Sequence, residues 1–352
     1  MRVTLDRAQL AHALSTVTKA VEARTTIPIL GNVLLSVDKG QLSITGTNLD
    51  LEISTSLPVL GSQDGTVTVA GKLLADISKR ATSDISLEAD GNHLVVKSGK
   101  SRFKLDTLPA ADFPSFNHGS FDTTIEFDLA SLVQEVQFAV STEETRYYLN
   151  GVFLEAKDGH IAATATDGHR LASTRIEQEA TFAPVILPNK LLSLLPTGIV
   201  SVSLSSNKVI VESGSTVIVS KLVDGTYPDY ERVIPKPSER VATLSAKALR
   251  EAVGRTSVIA SERGKVVRFS FASDALTLNV ANPDRGDATE EMEVNFSSEP
   301  LTIGFNGQYV TDLMAAFGAD EVTMSMADSG SPALITSAGR PGYRCVIMPM
   351  RV

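Results

Sequence analysis

The chain repeats a pattern in which one amphipathic helix precedes a series of alternating strands. Three segments begin with a residue typical of a helix N-cap and reach a leucine four residues later; they start at Asp6, Asp128 and Ser245. An Asp or Ser side chain can accept a hydrogen bond from a free N–H of the first helical turn. Apolar residues follow at helical spacing, as from Leu10 to Val17. We therefore expect an α-helix at the start of each segment.

Two strand-like stretches follow each predicted helix. The first stretches are "GNVLLSV", "NGVFLEA" and "KVVRFSF", and the second are "QLSITGTNLD", "HIAATATDGH" and "ALTLNVANPD". Equivalent apolar positions lie 119 and then 115 residues apart in both sets: Val33, Val152 and Val267, and Leu42, Ile161 and Leu276. Agreement between several landmarks indicates an internal repeat of about one third of the chain.

A second helical stretch and further alternating strands complete each repeat. The helical stretches are "GKLLADISK", "NKLLSLLP" and "GQYVTDLMAAF", in which Lys72, Lys190 and Gln308 are 118 residues apart. We predict three α+β domains, each with two helices and about eight strands in two antiparallel sheets. The predicted domains span residues 1–121, 122–240 and 241–352, with linkers near 116–123 and 235–240.

Composition narrows the class of protein. A length of 352 residues allows two or three domains, and 43% hydrophobic residues support real cores. The single Cys345 excludes an intramolecular disulfide and any zinc site of several cysteines, which fits a reducing, cytoplasmic location. The charged N-terminus does not resemble a signal peptide, and no apolar run approaches a membrane span. No phosphate-binding loop is present, so we expect no ATPase activity and no cofactor.

The net charge of −9 argues against a nucleic-acid partner unless basic residues are gathered on an inner surface. A domain of ~117 residues behaves as a ball roughly 35 Å across. Three such balls in contact leave a hole of about 5 Å, whereas six leave one of roughly 35 Å. A DNA duplex is roughly 20 Å wide, so one chain cannot encircle it but a head-to-tail dimer can.

Two short stretches carry candidate chemistry. "TATDGHRLA" brings Asp167, His169 and Arg170 together, which is compatible with a turn, a binding site or an acid–base pair. Asp167 and His169 lack an evident third metal ligand, so no metal site is expected. The chain ends in "GYRCVIMPMRV", which is either a closing strand with a frayed end or an adaptable docking surface rich in Met.

The chain resembles the beta subunit of bacterial DNA polymerase III, the sliding clamp. The resemblance runs through the whole chain, in order and at matching spacing, in seven stretches: "RTTIPILGN", "SRFKLDTLPAADFPSF", "TRYYLNGVFLE", "ATDGHRLA", "SKLVDGTYPDYERVIP", "IGFNGQYVTDLM" and "VIMPMRV". It implies a non-enzymatic homodimeric ring around double-stranded DNA, with helices lining the hole. The implied partners are the DNA polymerase III alpha subunit, the clamp loader and other replication and repair proteins that carry clamp-binding motifs.

The resemblance also implies a partner-peptide pocket between the second and third domains. Its residues carry over from the matching stretches: Leu149, Thr166, Gly168, His169, Arg170, Leu171, Pro228, Arg232, Val233, Asn306, Tyr309, Val346, Met348, Pro349, Met350 and Arg351. Leu, Val, Met and Pro can bury apolar anchors of a peptide. His, Arg and Asn can hydrogen-bond its backbone, and Met can repack around different partners.

The same resemblance assigns residues to DNA contact and to dimerisation. The DNA-facing residues are Arg24, Lys72, Tyr147, Tyr148 and Lys190, although from the sequence alone one tyrosine is equally compatible with core packing. The dimer interface joins Phe103 and Leu105 of the first domain to Val258 and Ile259 of the third. The chain departs from the family at Glu143 and Glu144, where two carboxylates occupy a loop expected near phosphate.

Two other function classes remain open on the sequence. A hydrolase that uses the cluster of Asp167, His169 and Arg170 predicts turnover that is lost in His169→Ala. A scaffold protein without a role on DNA predicts no retention on circular DNA.

Overall fold

The computed structural model describes residues 1–22, 25–114, 116, 119–260 and 266–351. The chain forms two compact units. Unit 1 contains Met1–Leu129 and Ser193–Leu222, and unit 2 contains Ala130–Leu192 and Val223–Val352. Among the described residues, no helix is long and apolar enough to cross a membrane.

Six α-helices lie within the described residues: α1 (Arg7–Val17), α2 (Gly71–Arg80), α3 (Leu129–Gln134), α4 (Asn189–Leu192), α5 (Ala246–Thr256) and α6 (Gly307–Phe317). The predicted N-caps of α1 and α5 are confirmed. The Gln9 N–H donates to Asp6 Oδ1 over 2.9 Å, and the Ala248 N–H donates to Ser245 Oγ over 3.3 Å. Helix α6 is capped in the same way by Asn306, whose Oδ1 accepts from the Gln308 N–H.

Unit 1 holds two antiparallel sheets. Its strands are β1 (Arg2–Leu5), β2 (Asn32–Asp38), β3 (Gln41–Thr47), β4 (Leu51–Pro58), β5 (Leu60–Gln63), β6 (Gly65–Ala70), β7 (Ile85–Asp90), β8 (His93–Ser98), β9 (Ser101–Asp106), β10 (Thr123–Phe127), β15 (Val200–Leu204), β16 (Lys208–Ser213) and β17 (Thr216–Lys221). One sheet has the order β5-β1-β7-β8-β9, and the other has the order β10-β15-β16-β17-β4-β3-β2-β6.

Unit 2 holds two further antiparallel sheets. Its strands are β11 (Gly151–Lys157), β12 (His160–Thr166), β13 (Arg170–Glu177), β14 (Val185–Pro188), β18 (Val241–Ser245), β19 (Val266–Ala272), β20 (Ala275–Asn282), β21 (Gly286–Glu293), β22 (Leu301–Asn306), β23 (Glu321–Ser325), β24 (Ala333–Thr336) and β25 (Arg344–Ile347). One sheet has the order β14-β11-β12-β13-β25-β24-β23-β18, and the other has the order β21-β20-β19-β22.

The predicted repeat is present in the fold. Strands β2, β11 and β19 begin at residues 32, 151 and 266, which reproduces the intervals of 119 and 115. Each eight-stranded sheet combines four strands of one repeat with four of the next. In unit 1, β17 of the second repeat pairs with β4 of the first. In unit 2, β25 of the third repeat pairs with β13 of the second. Consecutive repeats are therefore joined by one rule of strand pairing.

Both helices of the second repeat are shorter than the sequence pattern predicts. The stretch from Asp128 to Thr142 forms only α3 and a 3-10 turn at Gln137–Ala139. Three valines with low helix propensity lie in this stretch, and helices often tighten to 3-10 geometry at their ends. The stretch "NKLLSLLP" forms the single turn α4, because Pro196 disfavours helical geometry at the residue before it.

Candidate functional site

A cavity of about 260 Å³ lies in unit 2, where β13, the end of β25 and the segment before β18 meet. Its lining is mainly apolar and consists of Leu149, Thr166, Gly168, His169, Arg170, Leu171, Pro228, Asp229, Tyr230, Val233, Val346 and Met348. Leu149, Leu171, Tyr230 and Val346 belong to a buried cluster that forms the floor. Val233 and Met348 are exposed large apolar residues at its mouth. Such a cavity can bury one or two apolar side chains of a peptide.

The turn between β12 and β13 shapes one wall of the cavity. The Thr166 hydroxyl donates to the Arg170 carbonyl oxygen over 2.7 Å, and Thr166 Oγ1 accepts from the Gly168 N–H. Asp167 Oδ1 accepts from the backbone N–H groups of His169 and Arg170, both at 2.9 Å. Gly168 has a φ of +86°, a conformation that favours glycine. Local hydrogen bonds therefore fix this turn before any ligand binds.

The C-terminal tail forms the opposite wall. Strand β25 places Val346 opposite Leu171, and beyond it the Met348 N–H donates to the His169 carbonyl oxygen over 2.8 Å. The Met350 N–H then donates to the Gly304 carbonyl oxygen in β22 over 2.8 Å. Two backbone hydrogen bonds thus hold the Met-Pro-Met segment in place, which contradicts the alternative of a frayed end.

The segment before β18 closes the third side. The Tyr230 hydroxyl donates to Glu155 Oε1 over 2.6 Å, and burial raises the pKa of Tyr230 to about 12. Phe153 stacks on Tyr227 with ring centroids 4.7 Å apart. Arg344 Nη2 and Glu231 Oε1 form an ion pair at 2.8 Å, and the Arg344 guanidinium lowers the pKa of the Glu231 carboxyl group. These contacts anchor Pro228 and Val233 at the cavity.

The structure brings ten of the sixteen predicted pocket residues into the lining and adds Asp229 and Tyr230. Six predicted residues lie outside the lining: Arg232, Asn306, Tyr309, Pro349, Met350 and Arg351. Arg232 is 84% exposed and pairs with Asp229 at 2.7 Å. Asn306 caps α6, and Tyr309 stacks on His169 behind the wall with ring centroids 6.2 Å apart. Sequence reasoning missed Asp229 and Tyr230 although they lie inside the motif "YPDYERV".

The Asp167 carboxylate is not arranged as an acid–base partner of His169. Oδ1 accepts two backbone N–H groups, and Oδ2 accepts from Arg170 Nε over 3.1 Å. The His169 ring instead stacks on Tyr309. Within the described ranges, no group of three or more His, Cys, Asp or Glu residues is placed to hold a metal ion. The arrangement is that of a rigid turn suited to binding.

The loop from Glu143 to Leu149 connects the segment predicted to lie near DNA to the cavity. It forms a 3-10 segment, Glu144–Leu149, that ends in the cavity floor. Arg146 lies over the turn, since its Nη1 would be 2.5 Å from a Cβ placed on Gly168. Arg146 also pairs with Glu143 at 2.8 Å and lowers the pKa of that carboxyl group. The ion pair offsets the Glu143 charge, so the expected repulsion of phosphate is weaker than the sequence suggests.

The predicted DNA residues have different surroundings. Lys72 is exposed in the first turn of α2, and Lys190 is exposed in the equivalent position of α4. Tyr147 is exposed, whereas Tyr148 packs against the buried cluster of the cavity. Arg24 lies outside the described residues. The alternative in which one tyrosine packs in a core therefore applies to Tyr148.

The predicted dimer residues lie beside strands that end a sheet. Phe103 is exposed on β9, the last strand of its sheet, whereas Leu105 is buried within its own protomer. Val258 is 75% exposed, and Ile259 is half-buried, in a 3-10 turn that contacts β21, the last strand of another sheet. Phe103 and Val258 are thus available to a partner, whereas Leu105 mainly supports β9 from below.

Three repeats of one α+β domain, joined through shared antiparallel sheets and carrying an apolar peptide-sized cavity, define a protein of the sliding clamp class. Family models for the N-terminal, central and C-terminal domains of the DNA polymerase III beta subunit match residues 1–117, 125–229 and 231–351. The chain belongs to the DNA polymerase III beta subunit family. Its three domains are clamp domains, and its function is that of a non-enzymatic processivity factor, so the hydrolase alternative is wrong.

Individual relatives match over the full length. The beta sliding clamp of Pseudomonas putida is 38% identical, with 100% of both chains covered. The crystal structure of a sliding clamp from Bartonella birtlesii bound to griselimycin matches with a TM-score of 0.95 at 38% identity, and both chains are covered completely. The crystal structure of the DNA polymerase III subunit beta from Pseudomonas aeruginosa matches with a TM-score of 0.96 at 35% identity, again with complete coverage.

Proposed function

We propose that the chain forms a head-to-tail homodimeric ring around double-stranded DNA and tethers the DNA polymerase III alpha subunit through the cavity in unit 2. The clamp loader and other proteins with clamp-binding motifs use the same cavity in turn. Tethering raises the effective concentration of polymerase at the primer end without new catalysis. The observation that carries this proposal is the apolar cavity bounded by the turn at Gly168, the segment around Tyr230 and the hydrogen-bonded tail.

The rule that joins consecutive repeats supports the dimer. The last strand of the second or third repeat pairs with the fourth strand of the repeat before it. Thus β17 pairs with β4, and β25 pairs with β13. Within the described residues, two equivalent strands lack such a partner: β9, the last strand of the first repeat, and β21, the fourth strand of the third repeat. Each is the last strand of its sheet. An edge strand presents free backbone N–H and C=O groups. Pairing of β9 with β21 of a second copy extends the rule and closes a ring.

Charge complementarity supports the same pairing. The β9 side carries the cations Lys100, Arg102 and Lys104, whereas β21 is rich in acidic residues: Asp287, Glu290, Glu291 and Glu293. Opposite charges on paired strands are favourable, and like charges directly opposite are unfavourable. Two β21 strands or two β9 strands repel each other, so the charges favour the head-to-tail arrangement.

We also propose the limits of the domains, the location of the protein and the residues that face DNA. The three clamp domains span 1–121, 122–240 and 241–352, and the protein acts in the cytoplasm. Of the residues predicted to contact DNA, Lys72, Tyr147 and Lys190 face it, Tyr148 supports them from the cavity floor, and Arg24 lies outside the described residues. The exposed positions of Lys72, Tyr147 and Lys190 support this assignment.

Replacing both Arg24 and Lys72 with Glu is expected to weaken DNA contact without changing its sequence dependence. Phosphate contacts supply affinity but carry no base information. The loss of two cations should reduce the slope of log K against log salt by about 2. Fluorescence anisotropy with two duplexes of unrelated sequence, measured over a salt series, gives both quantities.

Lys39→Glu combined with Lys157→Glu is a matched control, because both lysines are exposed at hairpins and the charge change is equal. We expect the control to retain most of the affinity. An equal loss in both double variants, or a loss confined to one duplex sequence, contradicts the assignment.

A further inference from the structure

The Arg170 guanidinium lines the cavity but is occupied by groups of its own chain. Its side chain is 11% exposed. Nε donates to Asp167 Oδ2 over 3.1 Å, and Nη1 donates to Asp312 Oδ2 over 2.6 Å. The Tyr309 ring centroid lies 4.5 Å from Cζ, and the Phe138 ring centroid lies 5.4 Å away. Two carboxylates and two aromatic rings therefore surround this cation.

The second carboxylate belongs to helix α6. Asp312 Oδ1 accepts from Gln308 Nε2 over 2.7 Å, and the Gln308 backbone N–H is held by the N-cap Asn306. At the other end, Asp167 fixes the turn through two backbone N–H groups. Asp167, Arg170 and Asp312 thus form a continuous bridge from the cavity wall to the first two turns of α6.

We propose that Arg170 is a positioning residue of the cavity, which fixes the turn at residues 166–171 against α6 and does not bind the charge of a partner peptide. The proposal rests on the peptide-binding function proposed above. Capture of a peptide carboxylate by Arg170 would leave a partly buried Asp167 or Asp312 without its cation, and a partly buried unpaired charge is costly. Arg232 lies outside the lining, but it pairs with the cavity-lining Asp229, and both side chains are exposed, so Arg232 can turn to a peptide charge without leaving a buried carboxylate unpaired.

The side-chain geometry explains why a lysine would not replace Arg170. The planar guanidinium donates in two directions while both of its faces remain available for aromatic contact. A lysine ammonium keeps the charge but cannot bridge the two carboxylates in this plane. The turn and α6 would then lose their common anchor.

The two roles of Arg170 predict opposite effects of Asp312→Ala. The probe is a fluorescein-labelled peptide from the clamp-binding segment of the cognate polymerase. If Arg170 positions the turn, Asp312→Ala and Arg170→Lys each lower the affinity for this peptide on the order of tenfold, as expected for the loss of one charged hydrogen bond. The salt dependence of binding stays unchanged, because no peptide charge is lost. If Arg170 instead binds an acidic peptide residue, Asp312→Ala frees the guanidinium and tightens binding.

The control is Arg340→Ala. Arg340 pairs with Glu135 and donates to the Ala316 carbonyl oxygen, so it joins other parts of the same unit and does not line the cavity. Thermal unfolding of each variant separates a loss of stability from a loss of affinity. Weaker binding in Asp312→Ala and Arg170→Lys, with unchanged affinity in Arg340→Ala, supports the proposal.

Three results overturn the positioning role of Arg170. They are tighter peptide binding by Asp312→Ala, full affinity in Arg170→Lys, or a loss of affinity in all three variants that is proportional to their loss of thermal stability. Failure of the unmodified protein to bind the peptide contradicts the proposed function itself. The two failures are therefore distinguishable in one titration series.

Discussion

Deletion of residues 348–352 is expected to lower the affinity for a clamp-binding peptide about a hundredfold while leaving the fold and the dimer intact. The deletion removes Met348 from the cavity wall together with the hydrogen bond from its N–H to His169. Burial of one large apolar side chain is worth on the order of 1–3 kcal/mol. Loss of a backbone hydrogen bond adds about 1 kcal/mol. A sum of roughly 3 kcal/mol corresponds to about two powers of ten in Kd.

The fold is expected to survive because β25 ends at Ile347 and keeps its partners β13 and β24. Titration of a labelled peptide against intact and truncated protein measures the effect. Met348→Ala and Met350→Ala form a matched pair, since Met348 lines the cavity and Met350 does not. We expect the first to reproduce much of the loss and the second to have little effect. Equal affinity of intact and truncated dimers would show that the tail is not a docking surface.

Ile259→Lys is expected to convert the dimer into monomers. Ile259 follows the exposed Val258 in a 3-10 turn beside β21, the strand that we propose to pair with β9 of a second copy. A central apolar anchor often contributes 2 kcal/mol or more to an interface. Burial of an unpaired ammonium adds a further penalty of at least about 2 kcal/mol. A total of about 4 kcal/mol raises the dimer Kd roughly a thousandfold.

The fold of the monomer should remain, because the Ile259 backbone carbonyl still accepts from Asn282 Nδ2, at 2.7 Å in the unmodified chain. Sedimentation velocity over a concentration series measures the equilibrium. Ile199→Lys serves as the control for the change in chemistry, because it makes the same substitution at an isoleucine that is 75% exposed and lies in the turn before β15, outside β9 and β21. An undiminished dimer in Ile259→Lys, or dissociation in both variants, would contradict the proposed interface.

The repeated strands were predictable because their signal is local. Alternation of apolar and polar residues in "GNVLLSV" and its two counterparts follows directly from the two-residue period of a strand. The same is true of α6, which combines a capping Asn306 with apolar residues at helical spacing. The shorter helices of the second repeat were not predictable in this way. Valines weaken the helical pattern, and Glu135, directly after α3, pairs with Arg340, a contact that no local pattern reports.

Most of the residues that line the cavity were predicted from the resemblance to the family, whereas the others were identified only in the folded chain. Ten predicted residues line it, but Asp229 and Tyr230 were missed, and Tyr309 was placed at a surface that it only supports. The bridge from Arg170 to Asp312 joins residues 142 positions apart, and no periodicity reports such a contact. The packing of Arg146 over Gly168 is equally invisible in the sequence.

The sharing of sheets between repeats was also beyond the sequence. Internal repetition predicts three similar domains but does not say which strands pair across their limits. In the structure β17 pairs with β4, and this pairing draws strands of two repeats into one compact unit. The same rule indicates β9 and β21 as the edges that meet in a dimer. The strand pairing between repeats is therefore visible in the structure but not in the hydrophobic pattern of the sequence.

Retention on circular DNA shows whether the protein encloses a duplex as a ring. A ring that encloses DNA is held by topology, so it stays on a closed molecule and slides off a free end. The protein is loaded onto nicked circular DNA by its clamp loader and separated from free protein by gel filtration, and half of the sample is then linearised with a restriction enzyme. We expect the protein to remain with the circle and to leave the linear molecule. Equal retention on both forms, or no retention on the circle, would contradict it.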